Sequence, residues 1–372
     1  MRIPFLDLRR AYRELEGELR AALSHVLAGG VYILGEEVEA FEDEWARFCE
    51  VTGAACVGNG TDALVLALLA SGAVRPGCGD EVITSPLTAA YTALAIVNAG
   101  GVPVFADIDP ATYTLDPGVL ERAITLRTRA IVPVHLYGQM ADVAAIGRLA
   151  ERRALLVIED AAQAHGARHD GKRAGAHGTA AAFSFYPTKN LGAYGDGGAV
   201  VSLDQKLVER VRTLRQGGHP SALAAGGAGR NSRLDAVQAA LLRVKLSRLE
   251  AWTEQRRALA KLYDESLRGT RLILPVNGGP PHVYHLYVVQ HPERDRLRAH
   301  LAARGIETLI HYPYLLHQQP LFGGGPQHVL PVAEEVASRV LSLPLYPQLE
   351  RQEAQAVIEA ILEFEDGLGA RG

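Results

Sequence analysis

One lysine, Lys189, lies in a turn between two runs that both have the composition of buried strands. The turn spans residues 183–192 and separates the apolar runs 179–185 and 197–202. No second cation occurs within ten residues of it. A lysine held against apolar side chains loses proton affinity and becomes an amine nucleophile. The alternative is a surface lysine on a strand-to-strand turn, which is where most lysines are found.

A glycine-containing turn follows the first short apolar strand, residues 54–57. It reads Gly-Asn-Gly-Thr, includes Gly60 and Thr61, and leads into a predicted helix over residues 62–69. Two glycines allow a ligand close to the backbone, and the start of a helix offers free N–H groups and a positive dipole. We therefore predict an anion site, most plausibly for phosphate. A simple turn with Thr61 or Asp62 as the helix N-cap is the alternative.

A carboxylate follows the predicted strand at residues 154–158. Asp160 lies there, and Gln163 and His165 come next in a segment otherwise rich in alanine. A carboxylate at the end of a buried strand costs free energy unless it meets a cation or a donor. Asp160 is therefore predicted to face a positive partner inside a site, unless it only caps the next segment.

These groups together match the needs of pyridoxal 5′-phosphate. Lys189 follows Asp160 by about thirty residues, and Ser184 precedes the lysine by five. The cofactor requires a lysine for the Schiff base, an acid beside the pyridinium nitrogen, and a cradle for its phosphate. In an open parallel sheet such groups collect at the carboxyl ends of the strands.

The elements that must position these residues alternate between strand and helix. Short, almost continuously apolar strands separated by helices predict an α/β fold with a mostly parallel sheet covered on both faces. The predicted strands are 81–85, 102–106, 130–134 and 154–158, and the helices between them are 88–99, 117–124 and 141–152. The later elements are helices 204–215, 233–267, 293–304 and 353–364 and a strand at 285–290. We predict a large domain over residues 1–250 and a smaller α+β domain over residues 251–372.

Composition excludes several other classes of protein. The 372 residues carry a net charge of −4 without a run of five like charges, so nucleic acid is not an expected partner. Residues 82–106 are uncharged and long enough to cross a bilayer, but Pro86 and Pro103 divide them, so we expect no membrane span. The three cysteines have no metal-site spacing. They suggest reduced thiols, a cytoplasmic protein and no metal.

Seven stretches resemble the DegT/StrS-type sugar aminotransferases of fold-type I, over nearly the whole chain. They are residues 58–64, 133–138, 159–166, 183–192, 195–200, 229–240 and 310–313. The resemblance implies a large domain built on a mostly parallel, seven-stranded sheet between helices, with a smaller C-terminal α+β domain. It also implies pyridoxal 5′-phosphate as the cofactor and a homodimer with shared active sites.

The resemblance assigns a role to each cofactor-binding residue. Lys189 would hold the cofactor and move the proton, Asp160 would pair with the pyridine nitrogen, and Gln163 would bond the phenolic oxygen. The phosphate ligands would be Gly60, Thr61, Ser184 and, from the other subunit, Asn231, with the loop 217–229 beside the sugar nucleotide. Family members usually stack an aromatic residue on the ring where this chain has Ala89. Tyr91 is the candidate replacement, although it lies about 200° round the helix from Ala89.

The amino-acid sequences of residues 183–190 and 308–313 resemble those of enzymes that aminate C3 of a dTDP-linked 3-keto-6-deoxyhexose. In such enzymes the amine donor would be L-glutamate. Tyr186, His311 and Arg230 are the candidate substrate ligands, although His311 could equally be a satisfied core histidine. One alternative is a C4 aminotransferase acting on a UDP- or dTDP-4-keto sugar. A non-catalytic regulatory protein of the same fold is another. A pyridoxamine-dependent dehydratase would carry histidine in place of Lys189.

Overall fold

The computed structural model describes residues 2–217, 229–276, 281–322 and 329–369. Most of the glycine-rich loop predicted beside the substrate, residues 218–228, lies outside these ranges.

Helices and strands alternate through the first two thirds of the chain. In order they are α1 Leu8–Gly29, α2 Glu36–Cys49, β1 Gly53–Val57, α3 Gly60–Ser71, β2 Glu81–Thr84, α4 Ala90–Asn98, β3 Val102–Phe105, α5 Pro117–Leu120, β4 Thr128–Val132, α6 Val143–Arg153, β5 Leu156–Asp160, β6 Arg168–His169, β7 Lys172–Arg173, β8 Ala180–Ser184, β9 Gly198–Ser202 and α7 Gln205–Leu214. The remaining third contains α8 Ala236–Leu246, α9 Leu249–Ser266, β10 Tyr287–Gln290, α10 Arg294–Ala303, α11 Pro331–Arg339, β11 Val340–Leu343 and α12 Arg351–Gly369.

Seven strands form one sheet in the order β1-β9-β8-β5-β4-β2-β3. β9 runs antiparallel to both of its neighbours, and the other pairs are parallel. Six strands therefore point in one direction, and the predicted mostly parallel sheet is confirmed. Their carboxyl ends meet at one edge, which is where the candidate site residues were expected.

β8 separates two layers of the core because successive side chains point to opposite faces of a sheet. Its small residues Ala180 and Ala182 pack in the same cluster as the almost entirely buried helix α3. Phe183 packs on the other face, edge-on against Trp45 of α2. Ser184 follows Ala180 and Ala182 on the α3 side, so the packing of the core already sets the direction of this hydroxyl.

The single helix predicted over residues 233–267 is wrong, because α8 and α9 are separate helices. At the break, the Ser247 hydroxyl donates to the Val244 carbonyl at 2.7 Å, and the Arg248 N–H bonds the Lys245 carbonyl at 3.0 Å. These local bonds compete with the helical ladder and end α8.

Three short elements have no counterpart in the sequence prediction. The hairpin β6–β7 turns at Asp170 and Gly171, both with positive φ, as a two-residue hairpin requires. Helix α11 begins with Pro331 in its first turn. β11 pairs antiparallel with β10, so the strand predicted at 285–290 does have a partner.

The smaller sheet β10–β11 has its own core with α9, α10 and α12. The N-terminus joins this core, since Ile3 is buried there and forms a parallel bridge with Ile306. The predicted domain boundary at residue 250 falls in the first turn of α9, and the division of the chain into 1–250 and 251–372 stays a prediction.

In the ranges that the structure describes, no helix is both long and apolar enough to cross a membrane.

Candidate active site

The register of the sheet brings the two glycine-flanked segments together. Val57 at the end of β1 pairs with Gly198, and Gly198 pairs with Ser184 at the end of β8. A Cβ atom on Gly198 would lie 2.4 Å from the Asn59 carbonyl oxygen, so only glycine fits in this row. The start of α3 and the end of β8 are thus held next to each other.

A cradle forms where α3 begins. A Cβ atom on Gly60 would lie 2.6 Å from the Ser184 Cβ and 3.1 Å from its Oγ. The N-cap is Asn59, whose Oδ1 accepts the Asp62 N–H at 2.8 Å, so the alternative caps Thr61 and Asp62 are wrong. The N–H groups of Gly60 and Thr61 have no acceptor within the part of the chain that the structure describes. Free donors at a helix N-terminus beside a serine hydroxyl suit a phosphate group.

Asp160 ends β5 and is only 8 % exposed. Its Oδ2 accepts the Thr92 hydroxyl at 2.8 Å, and its Oδ1 accepts the Ala162 N–H at 3.2 Å. The carboxylate therefore does cap the next segment, but it forms no ion pair with any described cation. A buried, hydrogen-bonded carboxylate of this kind can pair with a positively charged ligand atom.

Lys189 lies in the turn after β8, and its N–H donates to the Tyr186 carbonyl at 2.8 Å. Burial lowers the pKa of its ammonium to about 8, and the negative charge of Asp160 opposes that shift. A larger fraction of the amine is therefore neutral near physiological pH than for an ordinary lysine.

Three histidines, His165, His285 and His311, lie close enough to Lys189 to feel its charge, and only His165 and His311 were singled out from the sequence. Burial lowers the pKa of His165 to about 3 and that of His311 to about 4, and it also lowers the pKa of His285 well below its ordinary value. The positive charge of Lys189 is the second cause in each case. Since all three rings are neutral at pH 7, they can lie beside the amine without a second positive charge.

His165 connects this group to β8. Its Nε2 lies 2.9 Å from the Ser184 carbonyl oxygen, so this nitrogen is the donor. The ring packs against Trp45, Phe183 and Phe185. These aromatic contacts hold the His165 ring in place.

Gln163 joins the large sheet to the C-terminal third of the chain. Its Oε1 accepts the Tyr137 N–H at 2.7 Å, and its Nε2 donates to the Tyr312 hydroxyl at 2.9 Å. The Tyr137 hydroxyl donates to the His311 carbonyl, and His311 Nδ1 lies 2.8 Å from the Ser342 hydroxyl. His311 is thus held by Ser342 rather than free to rotate.

Tyr137 and Tyr312 were not among the predicted site residues. Burial raises the pKa of the Tyr312 hydroxyl to about 12, and nearby Asp160 adds to that shift. Both tyrosines lie in stretches that carry the family resemblance, and this was the available signal.

Glu159 was also missed as a functional support, and it fixes the end of β5 beside Asp160. Its carboxylate is fully buried and accepts bonds from His135 at 2.9 Å and from the N–H groups of Gly175, His177 and Gly178 at 2.9, 3.0 and 2.8 Å. Burial raises its pKa, but the His135 bond and the backbone donors outweigh burial and the pKa is lowered overall. The four donors make this acid a structural anchor.

The four remaining predicted ligands are exposed or bonded to other groups in the single chain. Tyr91 is 64 % exposed, in the first turn of α4, and Tyr186 is 52 % exposed. The side chain of Arg230 contacts the start of α3, where its Nη1 lies 3.5 Å from Asp62 Oδ1. Its Nη2 donates to the Asn98 carbonyl at 2.9 Å. The side chain of Asn231 is exposed. The roles of these four residues stay predictions.

The residues fit pyridoxal 5′-phosphate on three observations. Lys189 has a lowered pKa, Asp160 has no cationic partner among the described residues, and a side chain on Gly60 would fill the cradle beside Ser184. The amine, the acid and the phosphate site are the three parts that the cofactor needs.

Comparison with known proteins agrees with this site. The dTDP-3-amino-3,4,6-trideoxy-alpha-D-glucose transaminase of Streptomyces venezuelae is 49 % identical over 367 residues, covering 98 % of this chain and 96 % of that protein. The pleiotropic regulatory protein of Geobacillus stearothermophilus is 46 % identical over 370 residues, covering 98 % and 99 %. A crystal structure of S. venezuelae DesV in complex with a ketimine intermediate has a TM-score of 0.93 and 48 % identity, covering 98 % of both chains.

The predicted fold-type I architecture is confirmed by this structural similarity. The predicted cofactor, pyridoxal 5′-phosphate, is the cofactor of these aminotransferases. The family profile matches residues 13–362, and the chain belongs to the DegT/DnrJ/EryC1/StrS aminotransferase family.

Proposed function

We propose that this protein transfers an amino group from L-glutamate to C3 of a dTDP-linked 3-keto-6-deoxyhexose. The observation that carries the proposal is Lys189, an amine with a lowered pKa that lies near the carboxylate of Asp160 and follows the Gly60–Ser184 cradle on β8. The name of the S. venezuelae relative, a 3-amino sugar transaminase, supports amination at C3.

When bound, the cofactor supplies a carbonyl for the amine and a ring that withdraws electrons from the reacting carbon. The chain supplies the remaining chemistry. Neutral Lys189 acts as nucleophile and then carries the proton to and from the reacting carbon. Asp160, held in place by Thr92 and the Ala162 N–H, would keep the ring nitrogen protonated. The N–H groups of Gly60 and Thr61 would bind the phosphate.

We infer the other cofactor and substrate contacts from where the remaining candidate residues lie. The Ser184 hydroxyl would complete the phosphate site, and Gln163 would turn its amide to the phenolic oxygen. Tyr186 and His311 would contact the sugar, and Arg230, near the start of α3, would contact the nucleotide sugar. We also propose a homodimer in which exposed Asn231 reaches the phosphate of the partner subunit.

We place the protein in the cytoplasm. Cys49, Cys56 and Cys78 are all free thiols, and the first two are buried. Free thiols are typical of a reducing compartment.

Two alternatives remain distinct from this proposal. The same site could aminate C4 of a UDP- or dTDP-4-keto sugar, since none of the named groups distinguishes C3 from C4. A non-catalytic role is suggested by the name of the pleiotropic regulatory relative. Lys189, Asp160 and Ser184 are all present, which favours an enzyme over a regulator, and Lys189 argues against a dehydratase with histidine at this position.

Turnover with defined substrates tests the proposal. The purified protein, supplied with cofactor, L-glutamate and a panel of dTDP- and UDP-linked 3-keto and 4-keto sugars, should release 2-oxoglutarate and yield a 3-amino sugar identified by NMR. Lys189→Ala should abolish both half-reactions, while Lys261→Ala, a change at an exposed lysine of α9, should leave them intact. Repeated turnover by Lys189→Ala would show that the lysine assignment is wrong, and exclusive 4-amino products would favour the C4 alternative.

A further inference from the structure

A cavity lies against the turn that carries Lys189. It is lined by that turn, by the N-terminal residues before and within α1, by α8 and α9, and by residues 347–348. Asp160, Gln163, Ser184 and Gly60 are not among its lining residues. We call it the rear cavity, and it is separate from the phosphate cradle.

Besides Lys189, two buried cations line the rear cavity. Lys245 is 6 % exposed, donates to the Gly192 carbonyl and lies 5.0 Å from the centre of the Tyr194 ring. Arg256 is 5 % exposed, and its Nη1 donates to the carbonyls of Tyr284 at 3.2 Å and Leu345 at 3.0 Å. All of these partners are neutral.

No described acid balances the two charges. Burial lowers the pKa of Lys245 to about 8 and that of Arg256 to about 9, and burial is the only cause in both cases. The one carboxylate that lines the cavity, Asp7, already accepts the Arg9 N–H at 3.0 Å and Arg9 Nε at 3.2 Å, and it lies 3.7 Å from Arg10 Nε. At pH 7 Lys245 and Arg256 are therefore charged, and the Asp7 carboxylate interacts with Arg9 and Arg10 instead.

Unpaired buried charges are costly, so proteins pair them or neutralise them. We propose that the rear cavity binds a small inorganic anion of halide size, held by Lys245 and Arg256. Thr188, which also lines the cavity, adds a hydroxyl as a further donor. Because Lys245 also holds the Gly192 carbonyl, the bound anion would stabilise the turn that presents Lys189.

The choice of variant follows from the contacts. Arg256 holds two buried carbonyls, so its removal would destabilise the fold for reasons unrelated to an anion. Lys245 holds one carbonyl, and Lys245→Met keeps much of the side-chain volume without the charge. Lys261→Met removes the same charge from an exposed position on α9 and is the matched control.

Thermal stability with different anions is the first test. A ligand that binds only the folded state raises its stability with ligand concentration. The wild type and Lys261→Met should gain Tm as chloride replaces gluconate at constant ionic strength. Lys245→Met should show no such gain. An equal chloride dependence in all three proteins, or none in the wild type, would overturn the proposal.

Bromide offers a direct second test that does not depend on any variant. Crystals of the wild-type protein grown in bromide should show an anomalous peak in the rear cavity, within ion-pair distance of Lys245 and Arg256. Bromide peaks elsewhere with none in the cavity would refute the site.

Discussion

At the residue scale, the reactivity of Lys189 comes from burial, which lowers the pKa of its ammonium. The histidines around it have pKa values too low for them to be charged at pH 7, so they add no repulsion, and Asp160 is the one group that favours the ammonium. The balance of burial and this single carboxylate sets the fraction of neutral amine.

This balance predicts how the reactivity of Lys189 depends on pH. In cofactor-free protein, labelling of Lys189 by fluorodinitrobenzene should rise with pH around a midpoint near pH 8, because the folded pKa is lowered to about 8. Asp160→Asn removes the charge that opposes the shift, so the pKa falls further and the midpoint moves to lower pH. Peptide mass spectrometry follows the labelling, with exposed Lys261 as the internal reference for the reagent. A midpoint that moves to higher pH in Asp160→Asn would contradict this account.

Tyr312 gives a second prediction at this scale. Tyr312→Phe removes the acceptor of the Gln163 amide, and a buried donor left without a partner costs about 1–3 kcal/mol. The cofactor-free protein should lose about that much free energy of unfolding, whereas Tyr314→Phe, at an exposed tyrosine two residues away, should lose none. Denaturant titrations of the three proteins measure the difference. Cofactor should restore part of the loss if Gln163 then bonds the phenolic oxygen. Equal stability of both variants would mean that the Gln163–Tyr312 bond contributes nothing.

At the scale of elements, the site depends on how closely α3 approaches β8. The small residues of β8 allow the helix to lie low on the sheet, and Gly60 allows its first turn to meet Ser184. Glu159 fixes the end of β5 from the other side by holding four donors. The phosphate cradle is therefore positioned by α3, and Asp160 is positioned by the hydrogen bonds of its neighbour Glu159, at the same edge of the sheet.

Gly60→Ala tests this close approach. The new Cβ would lie 2.6 Å from Ser184 Cβ, and overpacking of this kind costs about 1–3 kcal/mol, so cofactor affinity should fall about tenfold or more. Gly147→Ala is the control, because nothing lies within 4 Å of its Cβ position in α6. That change should keep the affinity and add about 0.5–1 kcal/mol of stability. Fluorescence titration with the cofactor measures both affinities, and unchanged binding by Gly60→Ala would argue against phosphate at the start of α3.

At the scale of the whole molecule, one proposed ligand points away from the protein interior in the single chain. Asn231 has an exposed side chain, and its backbone bridges to Gln216 beside the glycine-rich loop. This arrangement supports a site completed by a second copy of the chain.

Mixing two inactive variants tests the shared site. If Asn231 acts in the partner's site, a mixture of Lys189→Ala and Asn231→Ala subunits should regain activity, because each mixed dimer contains one intact site. Random exchange of equal amounts should restore about a quarter of wild-type activity. Subunits are exchanged in mild denaturant, and each variant exchanged with itself is the control. No recovery despite dimer exchange would place Asn231 in the same chain's site.

The strands of the large sheet were predictable because each of them is marked by a pattern within a few neighbouring residues. The strands of the large sheet were found to within about two residues at most ends from short apolar runs and breaker residues. The break between α8 and α9 was missed because it depends on hydrogen bonds of Ser247 and Arg248, not on hydropathy. β11 was missed because a four-residue strand has little pattern of its own and is stabilised by pairing with β10.

By itself, the sequence determined the reactive groups and their order. It identified Lys189 in its turn, Asp160 after a buried strand, and the glycines before α3. Each of these features is a local combination of side-chain chemistry and apolar periodicity, and the family resemblance rests on the same segments.

Only the tertiary structure decided what surrounds those groups. It placed neutral histidines near Lys189, brought Tyr312 to Gln163 from 149 residues away, and left Lys245 and Arg256 together in a cavity. Contacts over such separations leave no local pattern, because they arise from the packing of whole elements against one another. Burial, which sets the pKa of Lys189, is a property of that packing and not of the residue type.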